Sequence, residues 1–177
     1  MNGAEPDGWR PLRERSQVLL RGRVFDVVAS QLEFPSGLRQ DLWVVEHPGA
    51  VGIAALTDAG ELLLVRQYRH SARETTLEIP AGRLERGEDP LAAAQRELAE
   101  ETGWRARSWR PLRRYLAASG FSSERITLFV ARGLEPGTPD PDEDEELAVV
   151  RMTPERVLAE SSDAKTLIAA GLLLLER

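Results

Sequence analysis

Short apolar runs separated by turn residues dominate the first half of this chain. Val18 to Leu20, Val24 to Val28 and Leu32 to Phe34 read as short strands. Pro35-Ser36-Gly37 is a turn into a further strand, Arg39 to Glu46. Val51 to Leu56 is an uninterrupted apolar run of the buried-strand type, and Asp58-Ala59-Gly60 is a hairpin turn into Glu61 to Tyr68. Thr75 to Ile79 is another strand, closed by a turn at Pro80-Ala81-Gly82. Beyond a central helix, Trp109 to Ala117, Arg125 to Ala131 and Leu147 to Met152 are strand-like, and the Gly-, Pro- and Asp-rich stretch Gly133 to Asp142 is a loop. Thr153-Pro154-Glu155-Arg156 opens a short helix, and Ser162 to Arg177 forms a C-terminal one. This interspersion predicts a layered α+β or α/β domain. Residues 1–45 are expected to form a small antiparallel β extension, and 46–177 the main domain.

The central helix is the most sharply written element. Asp89 suits the N-cap, and Pro90 suits the first helical position because it has no N–H to leave unpaired. Leu91 to Glu101 consists almost wholly of strong helix formers, and Gly103 suits the left-handed residue past the end. Leu91, Ala94 and Leu98 give one apolar face, while Glu97, Glu100 and Glu101 share another. Carboxylates in the last turn oppose the helix dipole and repel one another unless cations sit among them. Such local rule-breaking marks functional sites. Hard carboxylate oxygens in this pattern suit Mg²⁺ or Mn²⁺. The charge pattern alone also allows a merely solvated helix face.

Composition narrows the classes. At 177 residues the chain has single-domain length with room for a large core. There is no cysteine, which excludes disulfides, thiolate metal sites and a cysteine nucleophile and fits a reducing, cytoplasmic setting. A formal net charge of -6 speaks against nonspecific nucleic-acid binding. The polar N-terminus lacks an apolar signal core, and the leucine run Leu172 to Leu175 is too short to span a membrane. His47 and His70 are too scattered to form a ligand pair. Lys165 is the single lysine among 23 basic residues.

The segment Gly82 to Trp104 reads Gly-x5-Glu-x7-Arg-Glu-Leu-x-Glu-Glu-x-Gly-apolar. It resembles the signature of the Nudix hydrolases at every defined position, which is far more specific than a short glycine motif. The resemblance implies a mixed sheet sandwiched between helices. It implies Glu97 and Glu101 as direct metal ligands, Glu100 as a further or water-mediated one, and the Ala81 carbonyl completing the shell. Glu88 and Arg96 then form an orienting pair that fixes loop to helix, and the spacing is expected to turn Arg96 away from the Glu97/Glu101 edge. Gly82 and Gly103 are expected to serve turns.

Flanking stretches resemble the ADP-ribose pyrophosphatase branch: Glu46 to Val51, Val65 to Arg69, Leu77 to Gly82, Gly120 to Glu124, and the acidic loop Asp142 to Glu146. Ser119 stands where that branch usually carries a proline, which leaves other nucleoside diphosphate sugars open as substrates. By the same resemblance Glu145, then Glu143, are the candidates for the general base. Arg66 and Arg69 are candidates for phosphate or ribose contact, with a structural ion pair as the equal alternative, and alternation is expected to put Gln67 on the face opposite both. Glu78 is a candidate for substrate or metal contact. Phe25, Trp43 and Phe121 are candidates to stack on a base, though such aromatics more often belong to a core. The branch implies a homodimer, and the short apolar stretches leave no membrane partner expected. Alternatives from other classes are a GDP-sugar or nucleoside triphosphate hydrolase, and a non-catalytic nucleotide-sugar sensor. The complete glutamate set speaks against idleness.

Overall fold

Apolar content and strand pairing explain each other in the larger part of the molecule. The computed structural model describes residues 9–138 and 146–176, and their contacts divide the chain into two compact units. One unit holds the chain as far as Pro48 together with Leu116–Arg125; the other holds Gly49–Tyr115 and Ile126–Arg177.

The first unit is an antiparallel sheet of β1 (Arg13–Arg21), β2 (Asp26–Glu33) and β3 (Arg39–Glu46), in that order. The separate runs expected at 24–28 and 32–34 are joined in one β2, which leaves out Val24, Phe25 and Phe34, and the run at 18–20 lies inside a much longer β1. Polar residues such as Arg13, Glu14 and Arg15 hide that length, because their role is register pairing with Glu33, Leu32 and Gln31 rather than burial. The register shifts between Val18 and Leu20, as a bulge does. Within the same unit, Phe121 O accepts from Val45 N at 2.8 Å and Ser123 N donates to Val45 O at 3.0 Å.

The second unit carries two sheets. β4 (Ala50–Ala55) lies between β7 (Ala81–Arg83), which runs antiparallel to it, and β9 (Arg125–Pro136), which runs parallel, with β8 (Trp104–Leu116) at the edge. β5 (Leu62–Arg69) lies between β6 (Glu74–Glu78) and β10 (Ala148–Met152) in an antiparallel trio. Three helices follow the sequence order: α1 (Pro90–Thr102), α2 (Pro154–Glu160) and α3 (Ala164–Leu175).

β4 is apolar without interruption because both its faces are covered. Val51, Ile53 and Ala55 pack with Ala93, Ala94 and Leu98 of α1. Ala54 and Leu56 pack with Val157 of α2 and with Ala169, Ala170 and Leu173 of α3. A mixed sheet with helices against both faces is the expected α+β layering. Further boundaries also differ from expectation: β8 begins at Trp104 and not at Trp109, and two others concern β7 and β9. Pro80-Ala81-Gly82 is not a turn: Ala81 to Arg83 pair with Gly52 to Ala50 as a short strand. Residues 133–136, read as loop, continue β9, with Gly133 at φ 65 absorbing the local kink. No helix among the described residues is long and apolar enough to cross a membrane.

Candidate active site

Cap chemistry sets α1 in place. Asp89 Oδ1 accepts from Leu91 N at 2.9 Å and Ala92 N at 3.1 Å, and Pro90 occupies the first turn. Gly103 ends the helix at φ 74, a conformation costly for any residue with a Cβ. Between these ends, Leu98 and Glu101 both face inward, and Glu101 is 4 % exposed.

A carboxylate buried that deeply needs a donor. Ala81 N, on β7, donates to Glu101 Oε2 at 3.0 Å. One residue on, a Cβ placed on Gly82 would stand 1.9 Å from Glu97 Oε1. Gly82 therefore serves close approach, not a turn: the bare backbone lets the Glu97 carboxylate lie against the strand. Glu97 and Glu101 thus converge on the two adjacent residues Ala81 and Gly82.

Arg96 sits at the other end of the cluster. Its Nε and Nη2 donate to Glu88 at 3.0 and 3.1 Å, and Nη2 reaches Arg83 O at 3.4 Å. Nη1 also donates to Glu97 Oε1 at 2.7 Å and to Glu100 Oε2 at 2.9 Å. The expected turning away from the glutamate edge is therefore wrong: a long guanidinium reaches back across one helical turn to i+4. The Glu88 hydrogen bonds, opposed by burial and aided by Glu97 and Glu100, hold Arg96 firmly protonated. In return the Arg96 bonds hold the Glu88 carboxyl below the usual carboxylate range. Glu85 N closes the loop onto Glu88 Oε2 at 2.9 Å.

This arrangement fits a hard divalent cation. The donors are carboxylate oxygens beside a glycine cradle that any Cβ would fill, with backbone at Ala81 alongside. Among the described residues no three acidic or histidine side chains already form a closed cage.

A second buried carboxylate lies on β6. Glu78, 2 % exposed, accepts from Arg69 Nε and Nη2, both at 2.8 Å, from Thr76 Oγ1 at 2.6 Å, and from Lys165 Nζ. Burial alone would raise its pKa, but the Arg69 hydrogen bonds and the charge and hydrogen bond of Lys165 outweigh it and lower the pKa to about 2. Glu78 is therefore committed to partners within the chain. The register puts Gln67 opposite Thr76 and Arg69 opposite Glu74, so Gln67 and Arg69 share the inner face, while Arg66 is exposed on the other. The expected placing of Gln67 against both arginines fails because Arg66 and Arg69 are an odd number of residues apart.

Phe25, Trp43 and Phe121 are all exposed, Trp43 to 73 %, so none belongs to a core. Glu143 and Glu145 lie outside the described residues. Sequence reasoning missed Lys165 as a participant. Its signal was its being the sole lysine, but its partner is 87 positions away.

Comparison with known proteins places this geometry. The family model described as NUDIX domain matches residues 46–170. A protein of Bacillus subtilis named ADP-ribose pyrophosphatase is 37 % identical over 89 % of each chain. One of Bacillus methanolicus named methanol dehydrogenase activator is 36 % identical over 92 % of this chain and 91 % of its own. A crystal structure of an ADP compounds hydrolase superposes with a TM-score of 0.83 at 27 % identity, covering 97 % of this chain and 96 % of its own. Members of the matched family are generally dependent on a divalent metal. The match over the greater part of the chain, and relatives alike along almost their whole length, establish that the chain belongs to the Nudix hydrolase family.

Proposed function

We propose that the protein hydrolyses the pyrophosphate bond of ADP-ribose or a related nucleoside diphosphate sugar, releasing a nucleoside monophosphate and a sugar phosphate. The observation that carries the reading is the meeting of Glu97 and Glu101 at the Ala81–Gly82 backbone. The names of the Bacillus subtilis relative and of the superposed hydrolase support the substrate class. The name of the Bacillus methanolicus relative specifies no substrate.

Glu97 and Glu101, with Glu100 and the Ala81 carbonyl, would hold Mg²⁺, with Mn²⁺ as a substitute. The cation supplies charge neutralisation at the pyrophosphate and acidifies the attacking water. Arg96 and Glu88 keep the glutamates in place, and Arg69 and Arg66 offer guanidinium donors to phosphate. Glu145, or failing it Glu143, takes the proton from water. Phe121 is a candidate for contact with the base.

The exposed apolar side chains of the first unit, among them Leu19, Leu20 and Trp43, support a homodimer built through residues 1–45, with 46–177 as the catalytic domain. A cytoplasmic setting belongs to the same reading. A panel of ADP-ribose, ADP-glucose, GDP-mannose, UDP-glucose and dinucleoside polyphosphates with Mg²⁺ tests the activity. Turnover should be fastest with an ADP-linked sugar, and failure to turn over any diphosphate sugar would remove the proposal. Light scattering tests the dimer: a monomeric mass refutes it.

A further inference from the structure

The first turn of α3 grips the strand that leads into the carboxylate platform. Asp163 Oδ2 accepts from Thr166 N at 3.0 Å and from Thr166 Oγ1 at 2.6 Å, and that same hydroxyl accepts from Ile79 N at 2.8 Å. Beside it, Lys165 Nζ donates to Asp163 Oδ1 at 3.0 Å and to Glu78 Oε2. A cation in the first turn of a helix works against the dipole, so helix stability does not explain Lys165. Nor does composition, since every other basic residue of the chain is arginine. The place calls for a compact three-donor ammonium instead of a planar fork.

Lys165 acts on one residue with two roles. Glu78 takes Lys165 at Oε2 from the helix and Arg69 from the neighbouring strand, so its carboxylate plane is fixed from two sides. Arg69 in consequence lies side-on, using Nε and Nη2, and neither bond uses Nη1. Glu78 is almost wholly buried, whereas the Arg69 side chain is 41 % exposed and within electrostatic reach of Glu101. A guanidinium bonded along one edge, on a side chain that is partly exposed, has donors left to offer an anion.

We propose that Lys165 is a positioning residue for the reaction: by clamping Glu78 from α3 it fixes the Arg69 guanidinium so that its remaining donors meet a phosphate of the substrate. The identity of that phosphate rests on the pyrophosphatase reading above; the clamp does not.

The experiment compares Lys165→Met, Arg69→Met and the double variant with the wild-type protein. Three readouts are taken: KM and kcat for ADP-ribose, the Kd of inorganic pyrophosphate by calorimetry, and the melting temperature. Lys165→Met should raise both KM and the pyrophosphate Kd about tenfold, the order of one charge-assisted hydrogen bond, with the loss falling on KM rather than kcat. The double variant should be no worse than Arg69→Met, because one effect runs through the other. Lys165→Arg, which keeps the charge, should recover part of the affinity. Lys165→Gln, which keeps a donor without the charge, replaces the methionine variant if that one does not fold. A lower melting temperature with KM and Kd unchanged would overturn the proposal, as would additive effects of the two single changes. If no diphosphate sugar is hydrolysed but the Kd pattern holds, the reaction reading falls and the clamp stands. If the wild-type protein neither binds pyrophosphate nor hydrolyses any substrate, both fall.

Discussion

Two acidic clusters lie in the same unit, one partly buried and one fully buried, and are wired in opposite ways. On α1, one guanidinium, Arg96, is shared by three carboxylates: Glu88, Glu97 and Glu100. On β6, one carboxylate, Glu78, is shared by two cations, Arg69 and Lys165. The first arrangement sets three carboxylates around one guanidinium, a setting that a divalent cation would suit. The second is satisfied by the chain itself and does the work of alignment. The two clusters thus differ in which member is shared: a cation among carboxylates in one, a carboxylate between cations in the other.

Removing the shared member of the satisfied cluster should have the largest effect. Glu78→Ala leaves the buried Lys165 ammonium and the half-exposed Arg69 without their shared partner and should cost about 3 kcal/mol of stability, read by urea unfolding. A loss below about 1 kcal/mol would mean that Arg69 and Lys165 find water instead. The same residue sets a pH dependence. Its folded pKa of about 2 lies below the ordinary glutamate value of 4.5, so its contribution is complete above 4.5 and is lost as pH falls toward 2. Glu78→Gln should flatten that part of the stability curve.

The open cluster should respond in function and not in stability. Glu101→Gln should lower kcat at least about a hundredfold, or about 2.7 kcal/mol, while the melting temperature without added metal stays the same or rises. Activity within tenfold of wild type would dismiss Glu101 as a ligand. Gly82→Ala comes next, since its Cβ must displace the Glu97 carboxylate. About a tenfold weakening of Mg²⁺ affinity is expected, measured by calorimetry, and an unchanged affinity would separate Glu97 from the metal face. Asp89→Ala should have the smallest effect, about 1 kcal/mol through the lost cap of α1, and should leave the Glu78 cluster untouched.

How much of this was legible in the sequence depends on how local each cause is. α1 was readable from end to end because Asp89, Pro90 and Gly103 act within their own helix. β4 was readable because burial on both faces leaves a continuous apolar run. β7 was not, since three residues beside a proline look like a turn until β4 supplies hydrogen-bond partners. The need for glycine at 82 was visible, but its cause, a carboxylate fifteen positions later, was not. Arg96 was misjudged because spacing gives the direction of a Cβ and not the reach of a guanidinium. Lys165 was invisible as a participant because strand and helix meet only in the folded chain. The exposure of Phe25, Trp43 and Phe121 reversed the usual expectation for aromatics, since apolar type says where a residue tends to be and not where a thin three-stranded sheet can hide it.

The α3 turn has a consequence for the solution behaviour of the protein. β6 is the outermost strand of its trio, and such a strand is a template onto which another chain can add. Here Ser161 Oγ donates to Leu77 O at 2.7 Å and Ile79 N is taken by Thr166. The end of α2 and the start of α3 thus together blunt a sticky border, so losing them would favour polymerisation as well as inactivity.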